Sequence, residues 1–200
     1  MRIEICGGIA SGKTTLCNVI AGAGYKSILE NFHDNPFWSS FYRNQNFYAF
    51  ETEVTFLLQH YSEIKAGTLD FAEIVCDFSF LQDRAYAETN LRESQLEAFR
   101  AIYLQVLSEI PQPALIVHLK CSAEEELRRI RRRARPEEEN IHSDYLEMLN
   151  QAVVGGLVQF GEKVPILSID SAANNFADDV STQRRVVTSI LAAVRDGRDA

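Results

Sequence analysis

The octapeptide GGIASGKT at residues 7–14 is the feature that most constrains this chain. It matches the pattern G-x-x-x-x-G-K-[ST], which binds phosphate groups when a strand precedes it and a helix follows it. A strand-like run, RIEIC, occupies 2–6, and a helical pattern begins directly after the second glycine. Gly7 and Gly12 let backbone amides turn towards phosphate oxygens, and the helix N-terminus adds partial positive charge. The motif therefore predicts a nucleoside triphosphate site.

The polar side chains that close this motif have separate expected roles. The Lys13 ammonium is placed to reach the β- and γ-phosphates, so Lys13 is both a nucleotide ligand and a catalytic candidate. The Thr14 hydroxyl is placed to ligate Mg²⁺, so we expect ATP and Mg²⁺ as cofactors. The residues predicted to contact the nucleotide are Gly7, Gly8, Ile9, Ala10, Ser11, Gly12, Lys13, Thr14 and Thr15.

Short strand-like runs alternate with helical patterns along the whole chain. The strand candidates lie at 2–6, 25–29, 73–77, 114–119 and 165–169. The helical patterns lie at 13–22, 36–43, 48–66, 84–109, 123–134, 143–158 and 177–195. This alternation is typical of a three-layer α/β fold whose parallel sheet is covered on both faces. Because no segment resembles a linker, we predict a single domain over 1–200 with a five-stranded parallel sheet.

Composition excludes several classes of partner and location. The net charge of −8 argues against nucleic-acid binding, which usually requires a broad basic face. No apolar run approaches the roughly 20 residues that span a bilayer, and the strand-like opening leaves no room for a signal peptide. The four cysteines are scattered among apolar segments, as buried free thiols are in a reducing compartment. We therefore expect a cytoplasmic protein without nucleic-acid or membrane partners.

The segment LRRIRRRARP at 127–136 places six arginines together in an otherwise acidic chain. Ser122 and Glu125 form a capping box before it, and Pro136 disfavours helix beyond Ala134. Arginines on two faces leave little surface for a core, so we expect this helix to project as a mobile lid. Closure of guanidinium groups over a transferring phosphoryl group suits its spread charge. A solvated helix face and an RNA-contacting segment are the alternatives.

Two acidic residues end neighbouring strand candidates. Asp77 stands at the carboxyl end of the strand at 73–77, where open α/β sheets bind their ligands. It is a candidate general base or a water-mediated ligand of Mg²⁺, and the alternative is that it caps the next turn. Glu30 ends the strand candidate at 25–29 and is a second acid directed at the same edge.

The helical pattern at 48–66 carries an apolar stripe with two ionisable residues beside it, Glu53 and His60. A carboxylate beside an apolar stripe is costly unless it has a partner. Glu53 therefore either pairs with Arg43 or Arg84, or faces a ligand that offers donor groups.

Together these segments resemble the deoxynucleoside kinases. The resemblance rests on GGIASGKTT, the isolated Glu30, FETEVTFLLQH, DFSFLQDRAYAETNL and LRRIRRRARPEEENIHSDYLEMLN, and it covers Met1 to about Asn150. The closing PILSIDSAANNF is similar to the last strand and adenine-side loop of that family. The resemblance implies a P-loop kinase fold with an arginine-rich lid at about 128–139. It also implies transfer of the ATP γ-phosphate to the 5′-hydroxyl of a deoxynucleoside, by a homodimer that associates through helices flanking the substrate site.

The same resemblance implies a role for individual residues. Asp77 matches the general base. Arg129, Arg133 and Arg135 match the lid arginines, of which Arg129 and Arg133 are expected to be catalytic and Arg133 and Arg135 to contact ATP. Glu138 approaches the sugar 3′-hydroxyl, and Glu30 approaches the 5′-hydroxyl and the metal region. The residues expected to contact the substrate are Glu30, Phe50, Glu53, His60, Asp83 and Glu138.

Three positions depart from the family pattern. The arginine that normally follows the catalytic acid is Phe78, and the extra lid arginines are expected to compensate for it. The base-reading glutamine is Glu53, and the arginine usually paired with the Asp83 position is His60. An ionised carboxylate only accepts hydrogen bonds, and guanine presents two adjacent donors, N1–H and the 2-amino group. Unless Glu53 and Asp83 share a proton, this favours purine deoxynucleosides, guanine first.

Two other functions remain open from the sequence. One is another small P-loop kinase that acts on a nucleoside monophosphate or a metabolite hydroxyl, whose phosphate the excess arginines would bind. The other is a non-catalytic nucleotide-binding protein, which the missing motif arginine favours slightly.

Overall fold

The computed structural model describes residues 1–161 and 163–197, which build a five-stranded sheet of order β2-β3-β1-β4-β5. The pairings between these strands are parallel, which confirms the predicted sheet. Residues 162 and 198–200 of the predicted domain lie outside the described residues. The strands are β1 (Arg2–Gly7), β2 (Lys26–Ile28), β3 (Ile74–Cys76), β4 (Leu115–Lys120) and β5 (Ile166–Asp170).

Helices cover both faces of this sheet. In the described residues they are α1 (Lys13–Ala21), α2 (Trp38–Arg43), α3 (Gln45–Asp70), α4 (Phe80–Asn90), α5 (Glu93–Glu109), α6 (Ala123–Arg133), α7 (Ser143–Phe160) and α8 (Val180–Asp196). Side chains of α1 and α8 pack on one face, and those of α3, α4, α5 and α7 pack on the other. This is the predicted three-layer arrangement. None of the helices described is long and apolar enough to cross a membrane.

The alternation of side chains along β1 explains why this strand lies at the centre of the sheet. Ile3 and Ile5 are fully buried against α1 and α8, and Cys6 is fully buried against the opposite helix layer. Successive side chains of a strand point to opposite faces, so a central strand needs apolar residues on both. The phosphate-loop motif therefore begins at the end of the best-anchored strand.

The single helix predicted over 84–109 is wrong. The chain forms two helices there, because Leu91 and Arg92 are extended, with φ values of −103° and −133°. Leu91 is only 2% exposed and belongs to the same core cluster as Phe99 of α5. Burial of Leu91 offsets the interrupted helix, and the break leaves the side chain of Asn90 free to point into the cleft described below.

The arginine-rich helix α6 begins as predicted but does not simply project from the body. The Ser122 hydroxyl accepts a hydrogen bond from the backbone N–H of Glu125 at 3.2 Å, which confirms one half of the predicted capping box, while the Glu125 carboxylate accepts from Arg128 and Arg129. Ile130, on a third face of the helix, is 3% exposed and packs with Ile141 and Leu146 beside α7. The expectation of a freely projecting helix is wrong because this narrow apolar face is enough to anchor it.

A buried ion pair fixes the start of β1. Arg2 Nε donates to Glu4 Oε1 at 2.8 Å, and the two side chains are 5% and 2% exposed. Arg2 Nη2 also donates to the carbonyl of Pro111 at 2.7 Å, and Glu4 Oε2 accepts from the backbone N–H of Phe80 at 3.3 Å. The pair therefore links the central strand to the start of α4 and to the loop before β4.

We expect Arg2→Met to lower the free energy of unfolding by about 3–5 kcal/mol, because Glu4 would be buried without its cation. Urea unfolding of the purified variant measures this loss. The control is the double variant Arg2→Met, Glu4→Gln, which removes both charges and keeps an acceptor for Phe80. It should recover at least half of the loss; a double variant as unstable as the single one would contradict the explanation.

Candidate active site

The phosphate-loop motif joins β1 to α1 at the carboxyl edge of the sheet. Gly12 has a φ of 104°, in a region that residues with a Cβ rarely adopt, and it directly precedes the first turn of α1. The Lys13 ammonium donates to the carbonyls of Gly7 and Gly8 at 2.9 and 3.0 Å. Lys13 therefore lies folded across the loop, beside the helix N-terminus where phosphate groups bind. Burial lowers the pKa of Lys13, and the nearby Glu30 carboxylate opposes that change.

A cleft of about 830 Å³ opens beside this loop. Its walls come from the ends of β2 and β3, from α3, α4 and α6, and from the loop that follows β5. Most of the residues predicted for the site face this one cleft: Ile9, Ala10, Ser11, Gly12, Lys13, Thr14, Thr15, Glu30, Glu53, Asp77, Asp83, Arg129, Arg133, Arg135 and Glu138. The residues predicted to bind the nucleotide and those predicted to bind the acceptor come from separate segments of the chain, and the fold places them next to each other.

Asp77 is held by two donors at the carboxyl end of β3. The Thr14 hydroxyl donates to Asp77 Oδ2 and the backbone N–H of Glu30 donates to Oδ1, both at 2.6 Å. Burial raises the pKa of Asp77, and these two hydrogen bonds partly offset the increase. Asp77 does not cap the next helix, because the Ser79 hydroxyl accepts from the N–H of Gln82 there at 3.1 Å. The hydroxyl and carboxylate oxygens of Thr14 and Asp77 suit a hard cation such as Mg²⁺.

Glu53 has a neutral partner. Asn90 Nδ2 donates to Glu53 Oε1 at 2.7 Å, and the Tyr145 hydroxyl donates to Asn90 Oδ1 at 3.1 Å. Of the two alternatives for Glu53, pairing with Arg43 or Arg84 is not formed, since Arg84 donates to a carboxylate one turn along its own helix, and Glu53 faces the cleft. Burial raises the pKa of Glu53 to about 8, although the hydrogen bond from Asn90 opposes it.

His60 lies behind the cleft wall. Its Nδ1 is 3.0 Å from the carboxylate of Asp83, its Nε2 is 3.2 Å from Glu30 Oε1, and the ring is 2% exposed. Phe50 packs in the core cluster that also contains Leu57. The structure places neither His60 nor Phe50 on the cleft wall, so the expected direct substrate contact of these two residues is not reproduced. Both ring nitrogens of His60 already contact protein carboxylates, and Phe50 packs against the core instead.

Arg129 connects α6 to the phosphate loop. Its Nη1 donates to the carbonyl oxygens of Ala10 and Ser11 at 3.3 and 3.1 Å. Its Nη2 donates to the carbonyl of Ser171, after β5, at 3.1 Å. A single guanidinium thereby ties three segments of the cleft together.

Arg133 and Arg135 share the carboxylate of Glu138. Arg133 donates to it through two nitrogens at 2.7 and 2.6 Å, and Arg135 donates at 3.2 Å. The Arg135 guanidinium also lies 4.2 Å from the centre of the Phe32 ring. Glu138 is 2% exposed, so its charge is compensated by both arginines.

Several residues that shape the cleft had no clear signal in the sequence. Gln82 Oε1 accepts from the backbone N–H of Gly7 at 3.1 Å, and Asn90 and Tyr145 position Glu53 as described. Glu126 is fully buried behind the phosphate loop, with one carboxylate oxygen accepting from Asn150 at 3.0 Å. Burial raises the pKa of Glu126 to about 7. The only indication of this burial in the sequence is that Glu126 lies four residues before Ile130, on the same apolar face of α6.

Both the sequence and the fold of this chain match known proteins. The sequence profile of the family described as "Deoxynucleoside kinase" matches residues 3–195. A deoxyguanosine kinase of Bacillus subtilis is 30% identical over 196 residues, which cover 94% of this chain and 95% of that protein. A deoxyadenosine kinase of Dictyostelium discoideum is 26% identical over 176 residues, covering 84% of this chain and 71% of that one. The solved structure of a deoxyadenosine kinase from M. mycoides with bound dCTP superposes with a TM-score of 0.82 at 23% identity, over 96% of this chain and 100% of that one.

We expect Gly8→Ala to weaken ATP binding, because the added Cβ would lie 2.0 Å from Glu126 Oε1 and 2.3 Å from Asn150 Oδ1. Glu126 is fully buried behind the loop, so its carboxylate, the loop or α6 has to shift, at a cost of about 1–3 kcal/mol. Isothermal titration with ATP measures the affinity.

The matched control for that variant is Gly155→Ala, in α7. An added Cβ there meets nothing within 4 Å, and alanine favours a helix. This control should keep wild-type affinity and be slightly more stable. Equal ATP affinity in the Gly8→Ala variant would show that the loop tolerates the methyl group.

Proposed function

Because the chain belongs to the deoxynucleoside kinase family, we propose that it transfers the γ-phosphate of Mg²⁺-ATP to the 5′-hydroxyl of a purine deoxynucleoside, with guanine preferred. Phosphorylation of a deoxynucleoside follows from family membership; the phosphate donor, the metal and the base are our proposals. One observation carries them: the phosphate loop, Asp77, Glu53 and Asp83 line the same cleft.

On the phosphate side, the loop amides and Lys13 would hold the β- and γ-phosphates. Mg²⁺ would be held by the Thr14 hydroxyl and, through water, by Asp77, and when bound it would neutralise charge on those phosphates. Arg129 would reach the nucleotide from its present contact with the loop. Arg133 and Arg135 would act as the arginines of a lid, since both stand at the end of α6. Planar guanidinium groups match the oxygens of a phosphoryl group in transfer.

On the acceptor side, Asp77 would receive the proton of the 5′-hydroxyl. Its pKa is raised by burial, which makes it a stronger base than an exposed aspartate. Glu30, whose backbone N–H already donates to Asp77, would orient the same hydroxyl. Glu138 would accept from the sugar 3′-hydroxyl while it holds the two lid arginines, so sugar and arginines share one carboxylate.

The base would be read by Glu53 and Asp83. With a pKa of about 8, Glu53 is mostly protonated in the free protein near neutral pH. Guanine presents N1–H and the 2-amino group side by side, and this donor pair favours the ionised carboxylate. Adenine presents an acceptor beside a donor, which suits the protonated form. Guanine binding would therefore release a proton from Glu53. The names of the relatives include deoxyguanosine and deoxyadenosine kinases, which supports a purine, and also a deoxyadenosine/deoxycytidine kinase of Bacillus subtilis.

The Michaelis constant for deoxyguanosine should consequently fall as pH rises. Glu53 has a pKa near 8 in the free protein and a lower one in the guanine complex, so affinity increases until pH passes the higher value. We expect a decrease of about tenfold between about pH 6.5 and about pH 8.5. Steady-state kinetics over this range measures it. Glu53→Gln, which cannot ionise, is the control and should give a flat profile; a flat wild-type profile would rule out proton release.

We expect Asp77→Asn to lower kcat by about 10²–10⁴-fold, because the acceptor hydroxyl loses its base. Mg²⁺-ATP-dependent release of ADP is measured against the four deoxynucleosides, their monophosphates and the ribonucleosides. A thermal midpoint close to that of the wild-type protein is the control for folding. Turnover with a monophosphate alone would favour the other small P-loop kinase. ATP binding without turnover on any acceptor would favour a non-catalytic nucleotide-binding protein.

Two further properties belong to the same proposal. We infer a homodimer, supported by exposed apolar side chains on α7, where Val154 and Val158 are 51% and 74% exposed and lie one helical turn apart. We infer a cytoplasmic location, supported by the buried free thiols of Cys6, Cys17 and Cys76, which suit a reducing compartment. Sedimentation velocity of the purified protein tests the first of these.

A further inference from the structure

The contacts of His60 determine its protonation state. Nδ1 lies 3.0 Å from both carboxylate oxygens of Asp83, and Nε2 lies 3.2 Å from Glu30 Oε1. An ionised carboxylate only accepts hydrogen bonds, so each ring nitrogen must donate. An imidazole ring with an N–H at both nitrogens is the imidazolium cation. With Asp83 and Glu30 both ionised, the geometry therefore makes His60 a cation.

The ring is also fixed in its plane. The Phe78 ring stacks on His60 with a centroid distance of 3.9 Å and an interplanar angle of 5°. The Phe56 ring lies 5.9 Å away at an angle of 26°. Aromatic faces attract a cation, and both phenylalanines restrict rotation of the imidazole. The direction of both N–H groups is thus determined by packing.

The two carboxylates that His60 contacts belong to different parts of the cleft. Asp83 lies in the first turn of α4 and is assigned to the base, and Glu30 follows β2 and is assigned to the acceptor hydroxyl. Building on the proposed function, we propose that His60 is a positioning residue. As a buried cation it holds Asp83 and Glu30 at a fixed separation, so that a correctly bound base places the 5′-hydroxyl for transfer. His60 acts through these carboxylates and does not touch the substrate.

The surrounding charges maintain this arrangement. Asp83 from α4 and Glu30 after β2 contact His60 directly, and Glu53 and Glu63 of α3 also interact with it electrostatically. Burial alone would lower the pKa of His60, but Asp83 and Glu30 outweigh it and raise the pKa to about 10. Burial likewise would raise the pKa of Glu30, but the hydrogen bond and charge of His60, together with the charges of Lys13 and Arg135, outweigh it and lower the pKa. The His60 cation and the Glu30 carboxylate therefore each stabilise the charged form of the other.

The protonation of His60 can be observed directly, without any assay of activity. The protein has four histidines, so ¹⁵N-histidine labelling gives few ring signals, assigned by single substitution of His33, His118 and His142. At about pH 8, where an unperturbed imidazole is neutral, both ring nitrogens of His60 should carry a proton. A neutral ring with one unprotonated nitrogen at this pH would overturn the proposal.

The positioning role is tested by His60→Gln. We expect kcat for deoxyguanosine to fall about 10–100-fold, because a misplaced acceptor reacts slowly, and ATP affinity to stay within about twofold. His118→Gln is the matched control, since His118 is also buried, 7% exposed, but lies in β4. It should keep wild-type kcat. A thermal midpoint measured for each variant separates stability from catalysis.

The outcomes separate this inference from the proposed function. A His60→Gln variant that is less stable but keeps the wild-type kcat would overturn the positioning role. If that variant does not fold, His60→Arg, which keeps a cation beside both carboxylates but changes its length, is measured in its place, with a loss of kcat at unchanged ATP affinity still expected. A wild-type protein inactive with deoxynucleosides would refute the proposed function, while the ring spectrum would still report on His60.

Discussion

The structure depends on supplying donors to a group of carboxylates buried at one end of a parallel sheet. A carboxylate removed from water is costly unless charged or hydrogen-bonded groups replace its hydration. Five acids of the cleft are stabilised by different hydrogen-bond donors. Asp77 accepts from a hydroxyl and a backbone amide, and Glu53 accepts from a neutral side-chain amide. Asp83 and Glu30 share an imidazole, and Glu138 accepts from two guanidinium groups. These hydrogen bonds join neighbouring helices to one another and to the ends of the strands.

The irregular parts of the fold are where those donors arise. The chain leaves the helical path after Asn90, and the freed amide reaches Glu53 on a neighbouring helix. The backbone N–H of Glu30 is available to Asp77 because β2 ends at Ile28. The short apolar face of α6 holds Ile130 in the core and leaves Arg133 directed at the cleft. The helices and strands form the framework of the cleft, and the places where they end supply several of the donors that its carboxylates need.

The sequence predicts well whatever depends on neighbouring residues. The five strands, the phosphate loop and the cap at Ser122 follow from local patterns of apolar, glycine and hydroxyl residues. The break at Leu91 was missed because helical periodicity continues across it. The partner of Glu53 was missed because Asn90 is 37 positions away on another helix. His60 was assigned to the site, but whether it faced the substrate or stood behind it depends on packing in three dimensions.

The root of α6 is clamped to the phosphate loop from two directions. Arg129 donates to the carbonyls of Ala10 and Ser11, and Glu126 stands behind Gly8, so close that an added methyl group would overlap its carboxylate unless one of them moved. Ile130 then fastens the next turn to the core. The base of the arginine helix is therefore joined to the phosphate loop, whereas the segment beyond Ile130 is held to the rest of the cleft mainly by the ion pairs of Arg133 and Arg135 with Glu138. Any outward movement of these two arginines must break those ion pairs and leave a buried carboxylate without its cations, so the closed arrangement is the favoured one when nothing is bound.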